Sequence, residues 1–252
     1  MLVWSDEFDD AGAPDSTRWG YDLGGGGAEG WGNHELEYYT RDQKNVRVEN
    51  GKLVIEAHSD TLFEKPYTST RLVSKGKGDW RYGRIEVKAK LPKGRGTWPA
   101  IWMLSTDWKY GGWPASGEID IMEHVGFDPG VIHGTIHTEA YNHIKQTQKE
   151  GKITVPDADG AFHVYGIDWT NDRMDFFVDD KLYHSVTRDP ADDFKGWPFD
   201  QRFYLILNLA VGGNWGGQKG VDETIWPQHM EVDYVRVYQT GRDAREKTLA
   251  EK

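Results

Sequence analysis

The chain has 252 residues, a formal net charge of −11 and no cysteine, which excludes disulfides, thiolate metal sites and cysteine nucleophiles. Its basic residues are dispersed, which argues against a nucleic-acid partner, because phosphate binding needs a basic patch. No run of about 18 apolar residues occurs, so no membrane-spanning helix is expected. Met1–Asp9 has no basic stretch followed by an apolar one, so no signal peptide is expected within the chain. An acidic surface favours neutral over sulfated or uronic polymers, though it also serves solubility. Twelve Trp, 12 Tyr and 9 Phe accompany 30 Gly. So many rings in a hydrophilic chain suggest that some are exposed, where Trp and Tyr make rigid platforms for apolar faces of ligands.

The predicted elements are strands. Asn45–Ala57 alternates apolar and polar residues around the turn Glu49-Asn50-Gly51 and reads as a hairpin. Tyr82–Leu91 alternates until it meets Pro92. Phe162–Trp169, Arg173–Val178 with the turn Asp179-Asp180, and Lys181–Val186 read as successive antiparallel strands. Arg202–Val211 is continuously apolar and so is expected to be covered on both faces, and Met230–Tyr238 alternates again. No stretch before residue 240 keeps a helical period for three turns. Regular strand spacing with turn residues between predicts an all-β sandwich or jelly roll. Residues 1–240 are expected to form one domain and 241–252 a polar tail. The tetraglycine Gly24–Gly27 is compatible with a loop over a cleft and with an idle surface loop.

The segment Glu118-Ile119-Asp120-Ile121-Met122-Glu123 carries three carboxylates inside an apolar run. Three acids on one strand repel one another unless the repulsion serves a purpose. Glu118 and Asp120 share a face of a strand, but Glu123 has the opposite parity. A β-bulge, with Ile121 and Met122 together opposing one partner residue, returns Glu123 to the face of the other two. Paired carboxylates on a cleft floor are what glycoside hydrolysis requires, one to attack or activate water and one to protonate the leaving oxygen.

With these residues in place, the chain resembles glycoside hydrolase family 16, and within it the laminarinase-like endo-β-1,3-glucanases. The resemblance runs from Val3 to about Tyr238 through Val3–Asp9, Trp31–Thr40, Thr70–Gly76, Trp98–Leu104, Gly117–Gly126, His133–His143, Phe162–Thr170, Asn208–Gly217 and Asp233–Tyr238. It implies a concanavalin-like β-jelly roll of two antiparallel sheets with a concave substrate groove. It makes Glu118 the nucleophile, Glu123 the acid/base and Asp120 the neighbour that shares a proton with Glu118. Met122 occupies the extra position of the bulged motif. The resemblance also implies sugar contacts from Trp98 and Trp102, from Asn33 and Arg71, and from Trp113, for which a core role is equally open. A structural ion pair is the alternative for Arg71. His137 is expected beside the acids, bonding Glu123 or a sugar, with His133 as a secondary candidate. Asn208 is expected in the groove or in an internal network.

No metal or other cofactor is expected in catalysis. A structural calcium is implied on the opposite face, held by the carbonyls of Glu7 and Gly51 and by Asp233. The implied substrate is a β-1,3-glucan such as laminarin, with mixed-linkage β-1,3-1,4-glucans as a possible extension. The protein is expected to act as a secreted monomer, without nucleic-acid or membrane partners. Two alternatives stand beside this reading: the same fold acting on agarose or carrageenan, and a non-catalytic β-glucan-binding protein. The presence of all three acids speaks against the second.

Overall fold

Alternating sequence becomes alternating burial along several back-sheet strands of the computed structural model, which describes residues 1–241. The predicted tail at 242–252 lies outside the described residues. In Gly83–Lys90, Ile85, Val87 and Ala89 are buried while the charged residues between them stay half-exposed. Each such aliphatic side chain contributes about 1.5–3 kcal/mol on burial.

The strands form two eight-stranded sheets. The back sheet runs Lys181–Thr187, Arg173–Val178, His163–Trp169, Gly83–Lys90, Gln228–Tyr238, Lys52–Ala57 and Val46–Glu49, and Leu2–Asp6 also pairs with Gln228–Tyr238. The front sheet runs Lys149–Thr154, Val131–His137, Glu118–Glu123, Thr97–Ser105, Phe203–Val211, Arg71–Val73 and Gly20–Asp22, and Asp79–Trp80 also pairs with Phe203–Val211. Every pairing in both is antiparallel. Glu37–Tyr39 and Tyr67–Ser69 make a small parallel pair. One core cluster joins the sheets, with Ile85, Val87 and Val235 from the back packed with Ile101, Ile119, Leu205 and Leu207 from the front.

Phe203–Val211 is buried along its whole length, as its unbroken apolar sequence predicts. Its odd residues Phe203, Leu205, Leu207 and Leu209 face the shared core, whereas Ile206 and Ala210 pack on the opposite side with tryptophans. Asn208 has the parity of the second set. Thr97–Ser105 carries Pro99 in mid-strand, where a missing N–H normally disfavours a strand. Pro99 is accommodated because its donor side faces the end of the acid strand. Pairing there stops at Ala100–Glu123, and only His124 N–H reaches the Pro99 carbonyl, at 3.3 Å.

The ends of the described chain meet on the back sheet. Leu2–Asp6 pairs with the last strand, the Met1 ammonium donates to the Gln239 carbonyl at 2.7 Å, and Gln239 N–H donates back to the Met1 carbonyl at 2.9 Å.

Candidate active site

The predicted bulge is present in the acid strand. Glu118, Ile119 and Asp120 register with His137, Ile136 and Thr135, and Glu123 with His133, so Ile121 and Met122 together span Gly134. Both extra side chains enter the core, and Glu123 returns to the face of Glu118 and Asp120. A Cβ at position 134 would lie 2.3 Å from the Tyr183 hydroxyl and 2.8 Å from the Phe176 ring, so only glycine leaves room beneath the bulge.

The three acids line the floor of a cleft of about 830 Å³. Asp120 is only 2% exposed, and Glu118 and Glu123 are half-buried. The Trp113 indole donates to Glu118 Oε2 at 2.9 Å, and the Trp98 indole donates to Glu123 Oε1 at 3.0 Å. His137 Nε2 lies 3.3 Å from Asp120 Oδ2 and 3.8 Å from Glu118 Oε1. Of the two partners expected for His137, Glu123 is therefore not the one it meets. The register puts His137 opposite Glu118 and gives Glu123 the neighbour His133.

Burial is the largest influence on all three acids and raises each one. Glu118 is pushed up to about 8, first by burial and then by the charge of Asp120, against the lowering effects of His137, the Trp113 N–H and Arg71. Asp120 is likewise pushed up to about 8 by burial, opposed by its hydrogen bond with Glu118. Glu123 is raised well above the ordinary glutamate range by burial, then by Asp120 and Glu118 together. Glu123 thus has two negative neighbours, while Glu118 has more groups that favour its anion. Proton retention falls most naturally on Glu123.

All the sugar-contact candidates line this one cleft: Asn33, Arg71, Trp98, Trp102, Trp113 and His137, with Asn208 beside them. Arg71 lines the cleft and also forms the ion pair given as its alternative. Its guanidinium lies between the Trp31 and Trp102 rings, 4.8 and 4.7 Å from their centroids, while its Nε donates to Asp22 at 3.1 Å. Asn208 also serves two roles, accepting from the Trp102 indole at 2.7 Å and donating to the Tyr39 hydroxyl at 3.0 Å. That hydroxyl donates to Glu35 at 3.1 Å, and Asn33 reaches the other Glu35 oxygen at 3.3 Å. Behind them, burial and then the neighbouring Glu35 push the carboxyl of buried Glu37 well above the usual range.

The tetraglycine belongs to this wall. Gly26 lines the cleft at φ +70°, and a Cβ there would lie 2.0 Å from Trp31 N. The chain continues into a tight turn at Gly30–His34 that no sequence period announced. Sequence reasoning missed Trp31, Trp215 and the contact of His133 with Glu150. The tryptophan count was the available signal for the first two.

Glu118, Asp120 and His137 each offer one ligand atom within 4.8 Å of the others, the one grouping of that kind among the described residues. A cation there would take the same oxygens that a sugar must meet. The implied calcium positions lie on the back sheet. Asp233 sits at a bulge between Val232 and Tyr234, where the partner strand Lys52–Ala57 has ended at Val232 and Leu2–Asp6 begins at Val235. Glu7 and Gly51 flank that gap in sequence. Two carbonyls and a carboxylate are a hard oxygen set that suits calcium. The Glu7 carboxylate is paired with Arg236 at 2.8 Å and the Asp233 carboxylate with Lys88 Nζ at 2.7 Å, so an ion bound through Asp233 would compete with Lys88 for that carboxylate.

The profile described as "Glycosyl hydrolases family 16" matches residues 33–236. A β-glucanase of Rhodothermus marinus is 57% identical over 244 residues, covering 94% of this chain and 84% of that protein. A glucan endo-1,3-β-glucosidase of Cryptopygus antarcticus is 41% identical over 252 residues, covering 94% and 91%. The X-ray structure of the laminarinase from Rhodothermus marinus superimposes with a TM-score of 0.92 at 56% identity, covering 94% of this chain and 96% of that one.

Proposed function

This chain belongs to glycosyl hydrolase family 16, and on that premise we propose that it cleaves β-1,3-glucosidic bonds within laminarin-type β-glucans by double displacement at Glu118 and Glu123. The observation that carries this reading is the bulged strand itself, with three acids on a cleft floor and an indole N–H on each outer one. In the first step a Glu118 oxygen bonds to the anomeric carbon, the bond to the glycosidic oxygen breaks, and the Glu123 proton passes to that oxygen. In the second, Glu123 takes a proton from water, the oxygen of that water bonds to the same carbon, and Glu118 leaves as a carboxylate. Two inversions give retention, which calls for carboxyl groups about 5–5.5 Å apart.

Asp120 and His137 tune this exchange. Asp120 shares a proton with Glu118, and its charge helps Glu123 keep its own. Trp102 and Trp113 offer ring faces to the sugars, and Asn33, Arg71 and His137 offer polar contacts. Family members need no cofactor for the chemistry. Calcium on the back sheet, held by the carbonyls of Glu7 and Gly51 and the Asp233 carboxylate, would join the first strand to the last. We read residues 1–240 as one catalytic domain that works as a secreted monomer, and mixed-linkage glucan as a second substrate.

The test is reducing-sugar release from laminarin, curdlan, barley mixed-linkage glucan, carboxymethylcellulose, agarose and κ-carrageenan. Release from laminarin is the expected result. Release from agarose or carrageenan alone would overturn the substrate and keep the mechanism, and silence on every polymer would overturn both.

A further inference from the structure

The turn that joins Leu62 to Lys65 is built from residues that do not suit it. Leu62 and Lys65 exchange two main-chain hydrogen bonds of 2.9 and 3.0 Å, so Phe63 and Glu64 alone close the reversal. Their φ angles are +45° and +68°. Asn and Gly take this left-handed backbone readily, and a bulky aromatic is among the residues least suited to it. An ill-suited residue held in such a turn points to a use for its side chain. The core does not supply that use. Phe63 is 74% exposed, more than any other large apolar side chain among the described residues.

The Phe63 ring lies beside that of Tyr38, with centroids 5.1 Å apart and planes tilted by 42°. Tyr38 is half-buried between the buried Glu37 and Tyr39. Tyr39 turns inward to Glu35 and Asn208 of the cleft wall, so Tyr38 turns outward. Lys65 ties the turn to the same wall, its Nζ donating to the Glu35 carbonyl at 2.5 Å. The glycine run joins the two surfaces. A Cβ at Gly25 would lie 3.0 Å from Lys65 Cε and 3.7 Å from the Tyr38 ring, whereas the next residue, Gly26, lines the cleft against Trp31. The aromatic pair therefore continues the cleft wall outward at the end where Trp31 covers Arg71.

We infer that Tyr38 and Phe63 form a second, non-catalytic contact for the polysaccharide, taking sugars of the chain that extend past those held in the cleft. This rests on the glucanase reading. Neutral pyranose rings present apolar C–H faces that suit an uncharged aromatic pair. A chain already held in the cleft meets this ledge at high effective concentration, so the contact raises affinity for long chains without touching the bond-breaking step.

The experiment compares laminaritetraose with laminarin in steady-state kinetics, and measures retention on curdlan in the Glu118→Ala background, where nothing is cleaved. Phe63→Ala is expected to raise KM on laminarin and weaken retention on curdlan by about three- to tenfold, with kcat unchanged and laminaritetraose kinetics within about twofold of wild type. Phe63→Trp, which keeps a ring, should retain most of the polymer effect. Phe63→Asn combined with Glu64→Gly, a pair that suits the turn, should show the loss of Phe63→Ala at an undiminished melting temperature, which separates the ring from the fold. Equal losses on tetraose and polymer, or no loss on either polymer, would overturn the inference. So would a dimer in sedimentation that Phe63→Ala dissolves, because the ledge would then be a contact between copies of the chain. A wild-type protein that neither cleaves nor retains any glucan would bring down the glucanase reading beneath it.

Discussion

Trp113 donates its indole N–H to Glu118 across 2.9 Å from a loop that precedes the acid strand by only a few residues. A neutral donor aimed at a carboxylate favours its anion, as a nucleophile buried among other acids requires.

Replacing Glu118 by Ala should leave glucan binding intact and reduce turnover by several orders of magnitude, about the loss expected for a missing nucleophile. Trp113→Phe keeps the ring and removes the donor, and should lower kcat by about tenfold, equivalent to one hydrogen bond to a charged group. Steady-state kinetics with a binding isotherm check both. A loss under about tenfold for Glu118→Ala would remove Glu118 from the chemistry.

Glu123→Ala removes the proposed proton donor and leaves the proposed nucleophile, Glu118, in place. Activity should persist best on aryl glycosides whose leaving groups need no proton, and azide should raise it by taking the place of water. The product should be a β-glycosyl azide, identifiable by its anomeric NMR coupling. An α-azide would exclude retention.

The acid must be protonated to act, so activity falls as pH rises through the raised pKa of Glu123. Burial is the first cause of that raise and Asp120 the second. Asp120→Asn deletes a negative charge, so the alkaline limb of kcat/KM should move to lower pH. A limb that stays put or moves upward would show that Asp120 does not tune Glu123.

Chelation should lower the melting temperature while initial rates at mild temperature stay near their starting value, because the positions proposed for calcium lie on the back sheet. Adding calcium back should restore the melt in the wild type and not in Asp233→Ala. At this size each kcal/mol moves the midpoint by about 2–4 °C. An unchanged melt would dispose of the ion.

The bulge was legible because the sequence sets two constraints that a regular strand cannot meet together. Ile121 and Met122 are both apolar, and the acids on either side of them differ in parity. The strand Thr97–Ser105 was hidden by Pro99, whose cost vanishes only because the neighbouring strand ends there. Lys149–Thr154 was hidden by its half-exposed, polar sequence, and with it Glu150 and the orientation of His133. Trp215 could be counted but not placed, since its contacts come from strands far away in sequence. Asn208 was readable as a polar residue needing partners. That its partners would be Trp102 and Tyr39 followed only from the meeting of three elements.

The pairing of Met1 with Gln239 has a consequence of a different kind. Joined tip to tip by main-chain bonds, the described strands close a ring whose seam lies on the sheet opposite the cleft. A short peptide bridging that seam, with a new opening cut at the exposed Asp179-Asp180 turn, would reorder the chain without disturbing a single strand pairing. A circular permutant of this design should retain both the fold and the cleft.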